Sequence, residues 1–451
     1  MDIFKFQDAL PHLEGKLVAL RVDVNSPFTS GKFTASARLR AAADTIDQLC
    51  EADARVIVMS HNARDGEAAF VGNGQIAGLL RDMGNTDLIY PGNSFSREKD
   101  RLSDEAVGWV TAVEPGQAIL LQNIRYLGGE TAKLSPSDHA NTPFVRQFME
   151  LGLNAYVNDA YSASHRGHRS ITGFAEVPNI AGPVATREIE AVSRLETSFG
   201  DRSVRRVFVL GGMKLDDYFP LIYRAAREGI ADNILPGGML ANLLLAAKED
   251  RGLGEAGLAM LGKRGFLESQ EGERSLLEQM KEVLTIAPEL FVTPVDFAYL
   301  VDGQRREYTL AQLRRFGQFT RGNAQLDIGT KTAQQYAEII RGSNAAFLKG
   351  PLGNVDHLDP KKGHIFSAGS RTALEAMQDP KVYAVVGGGD STAMLGRLKL
   401  KGARSGYHLD HVSLAGGALL LALAGEKLAG VEALKASYQK YEGKLPFSRT
   451  T

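Results

Sequence analysis

The stretch RVFVLGGMKLDDYFPLI, residues 206–222, decides the fold. RVFVL is apolar and β-branched enough for a strand buried on both faces, and DDYFPLIYRAARE carries apolar residues at helical spacing. Between them two glycines and Lys214 form a corner. A strand that feeds a helix through glycines is where a doubly wound sheet binds its ligand, and a lysine there suggests a phosphate. One cation is thin provision for a nucleotide's phosphates, so other residues must supply the rest.

The same alternation runs outward in both directions. Toward the N-terminus the apolar runs are KLVALRV, ARVIVMSH, AILLQN and NAYVND; toward the C-terminus they are ADNILPGG, NAAFLKG, VYAVVGGGD and DHVSLAGG. Helical stretches such as RLRAAADTIDQLCEA lie between them, which predicts an α/β fold with mainly parallel sheets. The length of 451 residues suits two domains. TREIEAVSRLETSFGDRS (186–203) reads as a hinge helix between a first domain, 1–185, and a second, 204–430. Residues 250–285 read as a helical excursion on the surface of the second domain.

Composition narrows the class. A formal net charge of −1 gives no reason to expect a nucleic-acid or membrane partner. The single cysteine, Cys50, excludes an internal disulfide framework and fits a reducing compartment. The start MDIFKFQDAL lacks a basic n-region and a long apolar run, so the expectation is a cytosolic protein.

Polar residues gather at the C-terminal ends of the first-half strands. RVDVN offers Asp23 and Asn25, the loop beyond it Arg38, MSHNAR His61 and Arg64, and LLQNIRY Arg125. VNDAYSASHRGHRS adds His165, Arg166, His168 and Arg169. Arginine's planar fork suits carboxylates and phosphates, so convergence at one sheet edge implies a small polyanion. Surface arginines paired to nearby acids explain the same residues, and the sequence leaves both readings open. The His-x-x-His spacings at 165–168 and 408–411 lack the zincin frame, and no cysteine cluster supports a metal site.

The second half gathers glycines instead, at LGGMK, LPGGM, KGPLGN, VVGGGDS and SLAGGA. Glycine lets backbone amides approach an anion at a helix start. No Gly-Lys pair continues to Ser or Thr in a Walker A frame. GNGQIA (72–77) imitates a dinucleotide fingerprint and is the only support for a nicotinamide-dependent dehydrogenase; it follows GEAAFV, a poor strand, and reads as a decoy.

RVDVNSP, MSHNAR, LLQNIRY, VNDAYSASHRGH, VLGGMK, LPGGMLAN, TPVDF, DIGTKT, KGPLGNVD, VVGGGDS and HVSLAGGA, in this order, resemble phosphoglycerate kinase over nearly the whole chain. The resemblance implies two doubly wound domains joined by a hinge, with the C-terminal segment, 431–451, packing back on the first. It implies 3-phosphoglycerate on the first domain and Mg-ATP on the second, with a monomer acting on small molecules. By position, Asp23, Asn25, Arg38 and His61 would hold the carboxylate and hydroxyl end of the substrate, and Arg64, Arg125 and Arg166 its phosphate. Lys214 and Gly212 would face the nucleotide phosphates, Gly237 and Gly238 the adenine, and Asp356 the ribose. Gly350, Gly388, Gly389 and Ser391 belong to the phosphate corners, and Asp390 matches the Mg-nucleotide aspartate. Gly416 and Gly417 match the helix start that faces the migrating phosphoryl group.

The chain also departs from that pattern. The second lysine of the family's GGAK corner is Tyr218 here, its tryptophan-asparagine before Gly-Pro is Leu348-Lys349, and STGGG has become SLAGG. Arg169 adds a cation where the family has a small residue. The expectation is that Lys349, on the neighbouring strand end, restores the charge missing at Tyr218 and is catalytic alongside Arg38, Lys214 and Gly416. A paralogue acting on another phosphorylated or phosphonate carboxylate, and an inactive ligand-binding homologue, are the alternatives.

Overall fold

The computed structural model describes residues 2–96, 98–199, 201, 203–269, 272–359, 362–400 and 408–447. The chain divides into two compact units, Met1–Glu190 together with Glu426–Thr451, and Ala191–Gly425.

The first unit is built on a seven-stranded parallel sheet. Ordered across the sheet, its strands are Phe4–Lys5, Asn179–Ala181, Ala155–Asn158, Leu17–Arg21, Arg55–Met59, Ala118–Leu120 and Leu88–Ile89. All five residues of Leu17–Arg21 are buried, as a continuous apolar run requires when helices cover both faces. Side chains alternate between the faces. Val18, Leu20, Val56, Val58 and Val157 enter one core, while Leu17, Ala19, Ile57, Met59 and Tyr156 enter the other. Each Val, Leu, Ile or Met among them contributes about 1.5–3 kcal/mol of burial. From Phe4–Lys5 at one edge the chain enters the sheet centrally at Leu17–Arg21, winds out through Arg55–Met59 to the other edge, then returns to lay Ala155–Asn158 on the other side of Leu17–Arg21. That reversal opens a crevice between the carboxyl ends of these two strands.

The helix Ala429–Lys440 closes this unit from the far end of the chain. Ser437 Oγ accepts from the amide of Asn179 at 2.8 Å, and Tyr441 Oη donates to the carbonyl of Glu176 at 2.8 Å. Leu445 belongs to the core of this unit, with Tyr438 and Phe447 packed against it.

The second unit repeats the plan with five parallel strands, in the order Asn233–Pro236, Arg206–Leu210, Ala345–Lys349, Tyr383–Gly387 and His411–Val412. Its winding reverses between Arg206–Leu210 and Ala345–Lys349, so the corners after Leu210 and Lys349 flank the crevice. An antiparallel sheet of Asp296–Val301, Gln304–Thr309 and Asp327–Ile328 is inserted before Ala345–Lys349.

The helix expected at 186–203 occupies Pro183–Thr197 instead. Proline is suited to a first helical turn, and the buried Asp159 carboxylate accepts from the amides of Val184 and Ala185 at 2.7 and 3.1 Å. GNGQIA follows a loop rather than a strand, with its helix running Gly74–Met83. Among the described residues, no helix is long and apolar enough to cross a membrane.

Candidate active site

In the first unit the crevice brings the seven predicted substrate-side residues together. Asp23 Oδ1 accepts from the amide of Asn25 at 2.9 Å, and Arg38 Nε lies 3.2 Å from Asp23 Oδ2. Arg38 also donates to the carbonyl of Asn25 at 3.3 Å, so these three form one constellation, with Asp23 and Asn25 on the loop after the central strand and Arg38 in the first turn of the helix Ala37–Glu51. Arg64 is exposed beside it, on the turn that follows the next strand.

His61 is buried, and the Nη2 of Arg21 lies 2.8 Å from its Nδ1. A guanidinium only donates, so Nδ1 is the acceptor and the imidazole proton sits on Nε2. Burial, then Arg21, Arg125 and Arg166, push the His61 pKa well below its ordinary value, and the ring is neutral at pH 7. Burial and then Arg166, Arg21 and Arg64 bring Arg125 down to about 10. Arg166 is lowered by burial and then by Arg64. His168 is pushed down to about 3 by burial and then by Arg125, Arg166 and Arg21. These side chains therefore crowd positive charge that the protein's own acids do not fully offset. A ligand bearing several negative charges relieves that repulsion on binding.

Arg169 does not join this cluster. It is fully buried, bidentate to Asp100, and stands over the Phe144 ring at 5.1 Å. The expectation that it adds a cation to the ligand is corrected: it ties the short helix Arg169–Thr172 to the turn that carries Asp100. Conversely, the structure adds Arg21, Ser170 and Glu130, all buried. Arg21 carried a signal in the sequence, since a cation ending a buried apolar strand needs partners.

In the second unit the glycine corners lock onto one another. The amides of Gly211 and Gly212 donate to the carbonyls of Lys349 and Pro351 at 2.9 and 2.7 Å, and that of Gly238 to Leu352 at 2.9 Å. A Cβ on Gly211 would stand 2.2 Å from the Pro351 carbonyl oxygen, and one on Gly237 would stand 2.4 Å from Leu352 Cδ2. These corners need glycine for their own close approach. Gly350, at φ +76, donates its amide to the buried Ser391 Oγ at 2.8 Å, which leaves the serine proton for another acceptor.

Tyr218 is buried, and its hydroxyl donates to the carbonyl of Gly211 at 2.5 Å, with that of Lys349 at 3.3 Å. It bridges the two strand ends at the reversal point. Lys349 is half-buried there and has no hydrogen-bond or ion-pair partner among the described residues; its Nζ is 2.9 Å from where a Gly388 Cβ would stand. Burial lowers its pKa, while Asp217 and Asp390 act to raise it. Lys214 Nζ is 3.9 Å from Asp390 Oδ2, both side chains being exposed. Gly388 at φ +91 caps the helix Gly389–Arg397, so Asp390, Ser391, Lys349 and Lys214 converge on that helix start. Gly416, at φ +61, caps Gly417–Leu423, and this helix packs on the turn Asp216–Tyr218.

Asp356 stands apart. Its carboxylate pairs with Arg397, at the opposite end of the helix that begins beside Asp390. A cavity of about 280 Å³ among Arg251, Leu253, Tyr299, Leu313, Thr320 and Asn323 holds none of the predicted residues.

The geometry thus provides a polyanion site in one unit and a phosphate-type corner with two lysines and an exposed carboxylate in the other. The sequence model of the family described as "Phosphoglycerate kinase" matches residues 7–426. The phosphoglycerate kinase of Thermococcus kodakarensis is 31% identical over 436 residues, covering 96% of this chain and 97% of that protein. That of Natronomonas pharaonis is 33% identical, covering 94% and 97%. The crystal structure of phosphoglycerate kinase from Pyrococcus horikoshii superposes with a TM-score of 0.81 at 28% identity, covering 97% of this chain and all of that one.

Proposed function

The chain belongs to the phosphoglycerate kinase family, and it is an ATP-dependent phosphotransferase with a carboxylate acceptor, reversibly converting 3-phosphoglycerate to 1,3-bisphosphoglycerate; we propose that the two sites described above divide that work. The first unit holds 3-phosphoglycerate: Asp23, Asn25, Arg38 and His61 at its carboxylate and hydroxyl end, and Arg64, Arg125 and Arg166 at its phosphate. The second holds the nucleotide: Gly237 and Gly238 on the adenine side, Asp356 toward the ribose, and Gly212, Lys214, Gly350, Gly388, Gly389 and Ser391 on the phosphates. The observation that carries this reading is the convergence of Arg125 and Arg166 beside the buried, neutral His61, where burial first and the neighbouring arginines second lower all three pKa values.

The acceptor carboxylate is ionised at pH 7, since such groups titrate near 4. It needs no general base. What the reaction needs is in-line placement and positive charge around the equatorial oxygens. Arg38, Lys214, Lys349 and the amides at Gly416 and Gly417 supply it. Asp390 is an exposed oxygen donor at the helix start, which suits Mg²⁺ held mainly through nucleotide phosphates. Bound there, Mg²⁺ would neutralise charge on those phosphates. The Pro183–Thr197 helix, which carries the chain from one unit into the other, would serve as the hinge. A cytoplasmic monomer acting on small molecules completes the proposal.

The Arg169–Asp100 pair occupies Arg169, so the added cation lends no support to the paralogue that acts on another carboxylate. The test is ADP release with Mg-ATP and 3-phosphoglycerate, in an assay that consumes the acyl phosphate. Turnover of roughly 1–100 per second is expected. No turnover in a protein that binds both ligands would refute the proposal.

A further inference from the structure

Behind His61 lies a chain of buried polar groups that touches no expected ligand. Glu130 sits on the turn Gly128–Thr131, just after the turn that carries Arg125. Its Oε2 accepts from the amide of Ser170 at 3.0 Å, and its Oε1 accepts from Ser170 Oγ at 2.6 Å. The same Oγ accepts from Arg21 Nε at 2.9 Å. Arg21 gives Nη1 to the Val22 carbonyl at 2.6 Å and Nη2 to His61 Nδ1 at 2.8 Å. Tyr156 Oη holds the Ser170 carbonyl at 2.6 Å. Glu130, Ser170 and Arg21 are all fully buried.

Each link has one available polarity. Arg21 can only donate, so Ser170 Oγ must receive on that side and turn its proton toward Glu130. Fixed at Nε and Nη1, the guanidinium presents Nη2 to Nδ1 of His61 in a single orientation. His61 Nε2 has no partner among the described residues. His168 Nδ1 lies 3.8 Å from Glu130 Oε1, but with its pKa near 3 the ring is neutral and forms no ion pair. The carboxylate is thus left to Ser170 and to the charge of Arg21.

We propose that Glu130 and Ser170 are positioning residues for the transfer reaction, acting through Arg21 to hold His61 in the form that donates from Nε2. This rests on the assignment of His61 to the substrate carboxylate. A neutral Nε2–H donates to that carboxylate, whereas the other tautomer would set a lone pair against it.

The experiment is long-range ¹H–¹⁵N NMR of histidine-labelled protein, with His61 assigned by its loss in His61→Gln, alongside steady-state kinetics. In the wild type His61 reads as the Nε2–H tautomer. In Ser170→Ala and in Glu130→Gln it reads as a mixture, and KM for 3-phosphoglycerate rises roughly tenfold while KM for ATP stays put, because one charged-acceptor hydrogen bond is weakened. A single Nε2–H tautomer in both folded variants, or equal changes in the two KM values, would overturn the proposal. Should one variant fail to fold, the other decides, since each breaks a different link. A tautomer shift in a protein that binds no 3-phosphoglycerate would uphold the hold on His61 and refute its substrate role.

Discussion

Replacing Lys349 by methionine keeps the length and most of the volume of the side chain and removes only its charge. The amine is half-buried between two strand ends, and burial depresses its pKa, so carrying a charge there costs the free protein stability. The cost is fully present below the lowered folded value and fades as pH rises through it toward the unfolded one. Lys349→Met should therefore fold at least as well as the wild type. Catalysis behaves oppositely. A unit charge about 4 Å from a transferring oxygen is worth about 4 kcal/mol at an effective dielectric of 20. Single donors that act on a developing charge are worth about 2.7–4 kcal/mol, or 10²–10³ in kcat. Lys214 remains near Asp390 as a second cation, so the lower end applies: kcat should fall about 100-fold, with a smaller rise in KM for ATP. The assay is steady-state ADP release, paired with a thermal melt of the same preparation. A kcat within threefold of wild type, in a protein with an unchanged melt, would refute the idea that Lys349 replaces the charge missing at Tyr218.

Tyr218→Phe removes the bond to the Gly211 carbonyl and leaves that acceptor buried; a loss of about 1–3 kcal/mol is expected from the urea midpoint. An unchanged midpoint would deny Tyr218 its bridging role. Arg169→Met strands Asp100, whose side chain is 34% exposed, so the loss should sit at the low end of the range for breaking a buried pair, about 3 kcal/mol by chemical denaturation. KM for 3-phosphoglycerate in the folded fraction should stay close to wild type, and a large rise would return Arg169 to the ligand. The neutral histidines set the acid side of stability. His61 and His168 have folded pKa values below the unfolded value of about 6.5, so unfolding takes up protons and stability falls as pH drops below that. With a folded value of about 3, His168 alone accounts for about 2 kcal/mol lost by pH 5. A His168→Asn variant should show a shallower decline in urea midpoint between pH 7 and 5; an identical slope would show that His168 does not titrate on unfolding.

How much of this was legible depended on how far apart the partners lie in the chain. RVFVL and KLVALRV read as buried strands because burial on both faces leaves an uninterrupted apolar run. The residues just after such strands read as a site because parallel sheets present their carboxyl ends. Tyr218 read as a missing charge, since its bridging role depends on Lys349, a residue 131 positions away. Arg169 read as a ligand cation because Asp100 lies 69 positions before it. The start of the helix at Pro183 depends partly on Asp159, which belongs to a different loop. Arg21 could have been found from the sequence, because a guanidinium inside an apolar strand is costly unless it is held.

The return of Ala429–Lys440 to the Asn179–Ala181 strand has a consequence for biosynthesis. Residues 191–425 separate the two parts of the first unit, so a ribosome must translate the whole second unit before the first can finish its core. Until Ser437 and Leu445 emerge, the Asn179 amide lacks its partner and the apolar surface around Phe4 and Ile180 is left partly uncovered. The half of the molecule made first is thus the half completed last, and a nascent chain stalled near residue 425 should present that edge to chaperones while its second unit is already folded.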